Sequence, residues 1–504
     1  MPTRGPSELC VGQIIRRNAA NWPKRTAVSL GPAQLTHSEL DQLGNQMARQ
    51  LESAGVKRGQ RVVVWAETGL EILPLFVALS KMGAVFAPLN ARYGAAEAGP
   101  VIELARPSLL ITDPEREKQA RDFSPALNAL SRGRLSQTDD GFPTLHLGGD
   151  EATAAFSHEE FIEKNLEEND PHVLFFTSGS TGLPKGVILS HRANWLRSFQ
   201  GVFIDEPEIS VCMFPLFHMA AFTLALSAWQ TGGEIALVSE PSAKNLLDAV
   251  ANRKANRLYC IPAIWKRILD HGIAKHDTSS LRAIDTGTSA TPPDLLAALK
   301  HRFPQAKLRV YYGSTEAGAG TVLSDADLLA KPGSVGKPAP GVDLQLGEQN
   351  EICLRSPCLT EGYFENEAAT DSALRDGWFH TGDVGLLDDD GYLFVVGRLN
   401  DLIRSGGESI APTEVEETLS RHPAVEEVAV VGIPDAQWGE VVCAAVVATP
   451  GAQPELEELQ SHCRQNLAAF KIPRSLILLE SLPRTAATGQ VQRPLLVEQI
   501  LAKS

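Results

Sequence analysis

Thr177-Ser178-Gly179-Ser180-Thr181-Gly182-Leu183-Pro184-Lys185-Gly186 lies between two apolar runs, Val173–Phe176 and Val187–Leu189. Its three glycines, four hydroxyl side chains and single lysine describe a loop that turns tightly and exposes hydrogen-bond donors. Glycine tolerates positive φ, and backbone N–H groups together with hydroxyls wrap the oxygens of a phosphate chain. A Walker A loop counted from Gly179 requires Gly-Lys-Ser/Thr at 184–186, where Pro184-Lys185-Gly186 stands instead. The stretch reads as a phosphate cradle of another kind.

Upstream of the cradle the pattern is that of layered α/β structure. Thr36-x-x-Glu39 is a capping box, and Leu40, Leu43, Met47 and Leu51 follow at helical spacing until Gly55. Arg61–Ala66 reads as a buried strand, Glu71–Met82 as a helix and Ala84–Phe86 as a further strand, a succession that implies parallel α/β layers. Leu73–Leu89 is the most apolar segment, but Lys81 and Pro88 make it a buried helix and strand rather than a membrane span. Residues 114–171 are polar and irregular, and the acidic run Glu159–Asp170 reads as a solvated face.

After Gly397 the texture changes. Gly406-Gly407-Glu408 makes a loop, and Thr413–Leu419 and Glu455–Leu467 read as helices. Val425–Val431, Val441–Ala448 and Ser475–Leu479 read as strands. These form a compact α+β unit of roughly 100 residues, a normal domain size. The boundary is placed at Asn400, giving domains 1–399 and 400–504.

Composition sets outer limits. A chain of 504 residues exceeds one core and suits a large domain with a smaller one. Its 43% hydrophobic and 21% charged residues are those of a soluble globular protein. A net charge of −15 argues against a general nucleic-acid surface. Seven scattered cysteines without Cys-x-x-Cys spacing read as reduced thiols rather than zinc ligands. With no apolar signal core at the N-terminus, a cytoplasmic location and no transmembrane segment are expected.

Four further blocks carry chemistry: Tyr311-Tyr312-Gly313-Ser314-Thr315-Glu316, Trp378-Phe379-His380-Thr381-Gly382-Asp383 with Gly397-Arg398 after it, Ser405-Gly406-Gly407-Glu408-Ser409-Ile410, and Lys471-Ile472-Pro473-Arg474. With the cradle, in this order and over residues 35–493, they resemble the adenylate-forming superfamily, acyl-CoA synthetases in particular. The resemblance implies an α/β fold. Its large N-terminal domain combines layered α/β subdomains with a β-barrel-like part, and a small mobile α+β C-terminal domain swings about a hinge at Asn400. It also implies a carboxylate–CoA ligase working through acyl-AMP, with ATP, Mg²⁺ and coenzyme A. The family often forms homodimers.

Residue by residue, the resemblance gives ATP or AMP to Thr177, Ser178, Gly179, Ser180, Thr181, Gly182 and Lys185. Thr288, Tyr312 on the adenine face, Gly313 and Thr315 at the α-phosphate join them. Glu316 falls to Mg²⁺, for which a carboxylate is a fitting hard ligand. Asp383 can accept hydrogen bonds from both ribose hydroxyls, and Arg398 is the matching nucleotide cation. Lys185, Thr315, Glu316 and His218 form the catalytic set with residue 490. His218, within Pro215-Leu216-Phe217-His218-Met219, is read as an orienting group and not a proton-transfer base. The acyl pocket is expected from Trp195, Phe199, Phe217, His218, Gly287, Gly313, Ala317 and Gly318. Thr286–Ala290 and Ala317–Gly320 contain no cation, which points to an apolar acid (fatty, aryl or alicyclic). Ser405, Gly406, Gly407 and Glu408 are placed on the CoA side.

One position breaks the pattern. The family lysine that bridges carboxylate and α-phosphate falls at Gln490, in a segment with one extra residue among Ala486–Thr488. Loss of one preorganised charge-stabilising donor typically lowers a rate by about 10²–10³. A lysine-to-glutamine replacement alone does not account for the extra residue. Arg484 or Arg493 carried in by the longer loop is a second reading, although a guanidinium copies an ammonium poorly. The third is slow or lost adenylation. Weakened adenylation is favoured, beside two alternatives: transfer to a carrier protein or amine, and a non-catalytic nucleotide- or acyl-binding homologue.

Overall fold

The structure is a computed structural model that describes residues 9–122, 144–146, 156–177, 184–199, 206–406, 408–484 and 491–502. Its contacts group into two compact units, Met1–Leu344 with Leu354–Phe379, and Gln345–Cys353 with His380–Ser504.

The first unit is built on two sheets. In the seven-stranded sheet, Pro171–Thr177, Val85–Pro88, Arg61–Trp65, Leu109–Thr112 and Thr144–His146 run parallel, in that spatial order. Lys185–Ser190 then adds antiparallel to Pro171–Thr177, with Thr177 opposite Lys185. The cradle therefore joins two antiparallel strands, whereas a Walker loop joins a strand to a helix. Ser178 to Leu183 themselves lie outside the described residues. The nine-stranded sheet places Thr26–Leu30 beside Glu234–Leu237, a parallel pairing across some two hundred residues that no local pattern encodes.

Two helices pack on these sheets with little exposure. Ile72–Met82 is buried along its whole length, and Met219–Gln230 buries ten of its residues. Phe76 and Phe222, one from each helix, meet at 4.6 Å, and Phe86 and Phe175 from the seven-stranded sheet surround Phe222 at 5.1 and 5.9 Å. Lys81 survives in this apolar helix because its Nζ reaches Asp41 Oδ1 and Asn45 Oδ1, both at 2.6 Å. The Thr36–Glu39 capping box forms and starts the helix His37–Ser53. Among the described residues no helix is long and apolar enough to cross a membrane.

The second unit centres on a sheet ordered Glu408–Ile410, Ile403–Ser405, Gly439–Ala448, Val425–Asp435, with Ser475–Leu478 added parallel to Gly439–Ala448. The helices Pro412–Leu419 and Leu456–Cys463 cover one face, where Ile403, Val415, Leu419, Val430, Val442 and Leu459 form the core. The helix Arg493–Leu501 covers the other through Leu496 and Ile500. A separate antiparallel sheet contains Glu351–Arg355, Trp378–Leu387 and Leu393–Arg398. Most of this sheet groups with the second unit, and the whole is the expected mixed α/β fold with a large and a small domain.

Candidate active site

The block ending in Glu316 forms a hairpin. Strands Lys307–Ser314 and Gly318–Leu323 pair antiparallel, with Ser314 opposite Gly318, so Thr315, Glu316 and Ala317 make a three-residue tip. Gly318, at φ 72°, supplies the left-handed residue that such a tip needs. Gly313 is required by closeness: a Cβ there would stand 2.0 Å from the Gly318 carbonyl oxygen. The tip holds the two residues expected at phosphate and magnesium, and neighbours fix it. Thr360 N–H donates to the Glu316 carbonyl at 2.7 Å, and Tyr363 O–H donates to Glu316 Oε1 at 3.0 Å. Lys185 Nζ lies 5.0 Å from the Tyr363 ring centroid. Tyr363 thus connects the cradle lysine to the carboxylate, a role the sequence reading missed.

Thr288 follows the strand Ala283–Gly287 with φ 66°. A β-branched residue in left-handed backbone is strained by about 1–3 kcal/mol, and such strain collects at functional positions. Its Oγ1 donates to the Gly287 carbonyl at 2.6 Å. Beneath lies a charged lattice: buried Asp285 accepts from Arg257 Nε at 2.6 Å and Arg309 Nε at 2.7 Å, and Arg257 reaches buried Glu208. The lattice ties three neighbouring strands, two ending at Tyr259 and Gly287 and the third carrying Tyr311 opposite Gly287.

The expected acyl residues separate into groups. His218 stacks on Phe214 at 5.2 Å, and Phe214 meets Tyr259 at 5.3 Å. The Tyr259 hydroxyl crowds Gly287, where a Cβ would stand 2.7 Å from it. His218 caps the helix Met219–Gln230: its Nδ1 accepts from Ala220 N–H at 3.2 Å, which puts the ring proton on Nε2. Burial lowers its pKa to about 4, so the ring is neutral at pH 7. Phe217 is half-buried beside it. Trp195 and Phe199 instead pack on one another at 4.6 Å, and Trp195 lines a groove of about 480 Å³ with Gln13, Arg16 and Arg17. Gly318, read as part of an uncharged lining, has the Arg197 guanidinium beside it, with Nε 3.5 Å from its Cβ position. Neither Tyr259 nor Arg197 was found from sequence.

In the second unit, Asp383 pairs across strands with Arg398, and Arg398 Nε contacts Asp383 Oδ1 at 2.7 Å. The turn before Asp383 is held from Glu351: Oε1 accepts from Gly382 N–H at 3.0 Å and Oε2 meets His380 Nδ1 at 2.8 Å. Thr381 Oγ1 donates to the Ile352 carbonyl and accepts from Asp383 N–H. Glu351, Cys353 and His380 bring ligand-type atoms within 4.8 Å of one another, and their geometry serves this turn. Asn400 lies in the short 3₁₀ turn Leu399–Asp401.

Ser405 and Glu408 pair across a two-residue hairpin that begins with Gly406 at φ 59°. Gly406 N–H donates to the Trp438 carbonyl at 2.8 Å, and Arg474 stacks over the Trp438 ring at 4.2 Å. Gly407 and Gln490 lie outside the described residues. Arg493 is engaged by Glu416 at 2.7 Å, and Arg484 by Glu427 at 2.9 Å.

Family models agree with this anatomy. One described as AMP-binding enzyme matches residues 15–364, and one described as AMP-binding enzyme C-terminal domain matches residues 414–488. A feruloyl-CoA synthase of Amycolatopsis is 35% identical over 95% of this chain and 97% of its own. A 2-succinylbenzoate–CoA ligase of Bacillus cereus is 32% identical, over 95% and 97%. Among solved structures, the o-succinylbenzoate CoA synthetase of Bacillus subtilis in complex with its acyl-adenylate superposes with a TM-score of 0.85 at 27% identity, covering 96% of this chain and 97% of that one. The same synthetase in complex with ATP and magnesium gives 0.84 at 26% identity, covering 95% and 98%. This chain belongs to the AMP-binding enzymes, the adenylate-forming superfamily.

Proposed function

We propose that the protein is an AMP-forming acid–thiol ligase that joins an aromatic carboxylic acid to coenzyme A through an acyl-adenylate. The observation that carries the substrate class is the ring cluster Phe214–His218–Tyr259 against Gly287, which suits a flat apolar ring. The names of the feruloyl and succinylbenzoate ligases support the same class.

In this reading the carboxylate attacks the α-phosphorus of ATP and pyrophosphate leaves. The CoA thiol then attacks the acyl carbon and AMP leaves. Lys185 and Thr315 hold phosphate oxygens, and neutral His218 orients the acid through Nε2–H. Asp383 accepts from the ribose hydroxyls, with Arg398 as its cation. The carboxylate of Glu316, with one oxygen fixed by Tyr363, fits an Mg²⁺ ion, which when bound neutralises phosphate charge. The part of the chain after Asn400 turns between the two half-reactions, which brings Ser405–Glu408 to the thiol side.

Gln490 makes the first half-reaction slow and leaves the second intact. One observation bears on a non-catalytic binding homologue: Arg493, a candidate stand-in for the lysine, is paired with Glu416 and Asp401. Thioester formation from a supplied aryl-adenylate and CoA separates the two. The ligase reading expects aryl-CoA and AMP from the unmodified chain. Absence of thioester with any aryl-adenylate overturns it.

A further inference from the structure

The guanidinium of Arg197 is enclosed within the first unit, with the residue only 1% exposed. Its Nη1 donates to the Thr315 carbonyl at 3.1 Å, and its Nη2 donates to the Cys358 carbonyl. Its Nε has no partner, and no carboxylate lies within ion-pair distance among the described residues. Burial lowers its pKa to about 10, which still leaves it charged at neutral pH.

Burying a guanidinium without a carboxylate in direct contact is unfavourable, and the charge of nearby Glu316 offsets that burial only in part. What the side chain does is specific. A planar fork spans two acceptors in one fixed geometry. Here the two acceptors are the backbone of the hairpin tip and the backbone of Cys358. The same downstream segment also grips the tip through Thr360, whose N–H holds the Glu316 carbonyl, and through Tyr363, whose hydroxyl holds the Glu316 carboxylate. Within the tip only Ala317 N–H to Ser314 Oγ, at 3.2 Å, is bonded among the described contacts, so its position is set largely by these outside bonds. Gly318, which closes the tip, leaves room for Arg197 beside it.

We infer that Arg197 is a positioning residue for magnesium–nucleotide binding: by locking the Thr315 carbonyl to that of Cys358 it sets where the Glu316 carboxylate stands. This rests on the reading of Glu316 as the magnesium ligand.

The test is calorimetric titration of the full chain with ATP, in Mg²⁺ and in EDTA, which needs no turnover. Loss of hydrogen bonds from a charged donor predicts that Arg197→Gln forfeits about tenfold or more of the affinity that Mg²⁺ adds. Affinity in EDTA should stay within about threefold, a split that general structural damage does not produce. Arg197→Lys, which cannot span both carbonyls, should fall between, and it carries the test if the glutamine variant does not fold. Ser198→Ala, at the end of the same helix, loses bonds to Trp195 and Gln230 and should leave the Mg²⁺ increment unchanged. An unchanged increment in both Arg197 variants, or equal loss in EDTA, overturns the inference. Glu316→Gln separates the premises. If it leaves the increment intact, the magnesium reading itself fails. If it removes the increment while the Arg197 variants keep it, only the role of Arg197 fails.

Discussion

Gly313 shows how narrowly one residue is constrained at the hairpin tip. An alanine methyl at Gly313 would meet the Gly318 carbonyl oxygen at 2.0 Å, and both partners are backbone, so the strands must part. Gly313→Ala should therefore destabilise the protein by about 1–3 kcal/mol in chemical denaturation, as overpacking typically does. It should also weaken Mg·ATP binding, because the displaced tip carries Thr315 and Glu316. At this scale Glu316, Asp383 and Lys185 could be singled out in the sequence because each sits in a block whose residue types suit the metal, ribose and phosphate roles proposed for them. Arg197 was not. At the end of the helix His191–Arg197 it resembles an ordinary last-turn cation facing solvent. Only the docking of the helix against Thr315 and Cys358, distant in sequence, buries it.

Among elements, strands with continuous apolar runs and helices with a capping box were read correctly. Arg61–Trp65, Ile72–Met82 and His37–Ser53 agree with expectation to within a residue or two. Their partners in the sheets were not legible, because pairing such as Thr26–Leu30 with Glu234–Leu237 depends on surfaces formed far apart in sequence. The strand ends beneath Gly287 are set by Asp285, which is fully buried between Arg257 and Arg309. Asp285→Ala removes the carboxylate shared by buried Arg257 and half-buried Arg309 and leaves Arg257 with Glu208 alone. It should lower unfolding free energy by about 3–5 kcal/mol, the loss expected when one partner of a buried pair is removed. Restoring charge with Asp285→Glu should recover part of the loss, and equal stability of Ala and wild type in denaturant titration would refute the lattice's role.

Across the whole molecule, buried histidines make the first unit sensitive to acid. Burial lowers His37 and His218 to about 4 and His191 to about 3, and His172 also falls well below its ordinary value. The unfolded chain takes up these protons near pH 6.5, while the native state stays neutral. The stability these neutral rings contribute is therefore full above pH 6.5 and is lost as the pH falls toward 4, by up to about 3 kcal/mol for a group lowered to about 4, such as His37 or His218. Thermal unfolding between pH 7.5 and 4.5 should show that decline, shallower in a His37→Asn variant; a midpoint constant across the window would contradict it.

The two-unit plan and the α/β class followed from length, texture and block order. The fate of the first half-reaction did not, because Gln490 departs from the residue that would have defined it. The most direct measurement is carboxylate-dependent exchange of pyrophosphate into ATP over a panel of aromatic and aliphatic acids, for the native chain and for Gln490→Lys. Adenylation of an aromatic acid should be detectable but slow in the native chain and should rise by about tenfold or more with the lysine, given the usual worth of one charge-stabilising donor. Exchange in neither chain with any acid would contradict the assignment of this protein as an acyl-adenylating ligase.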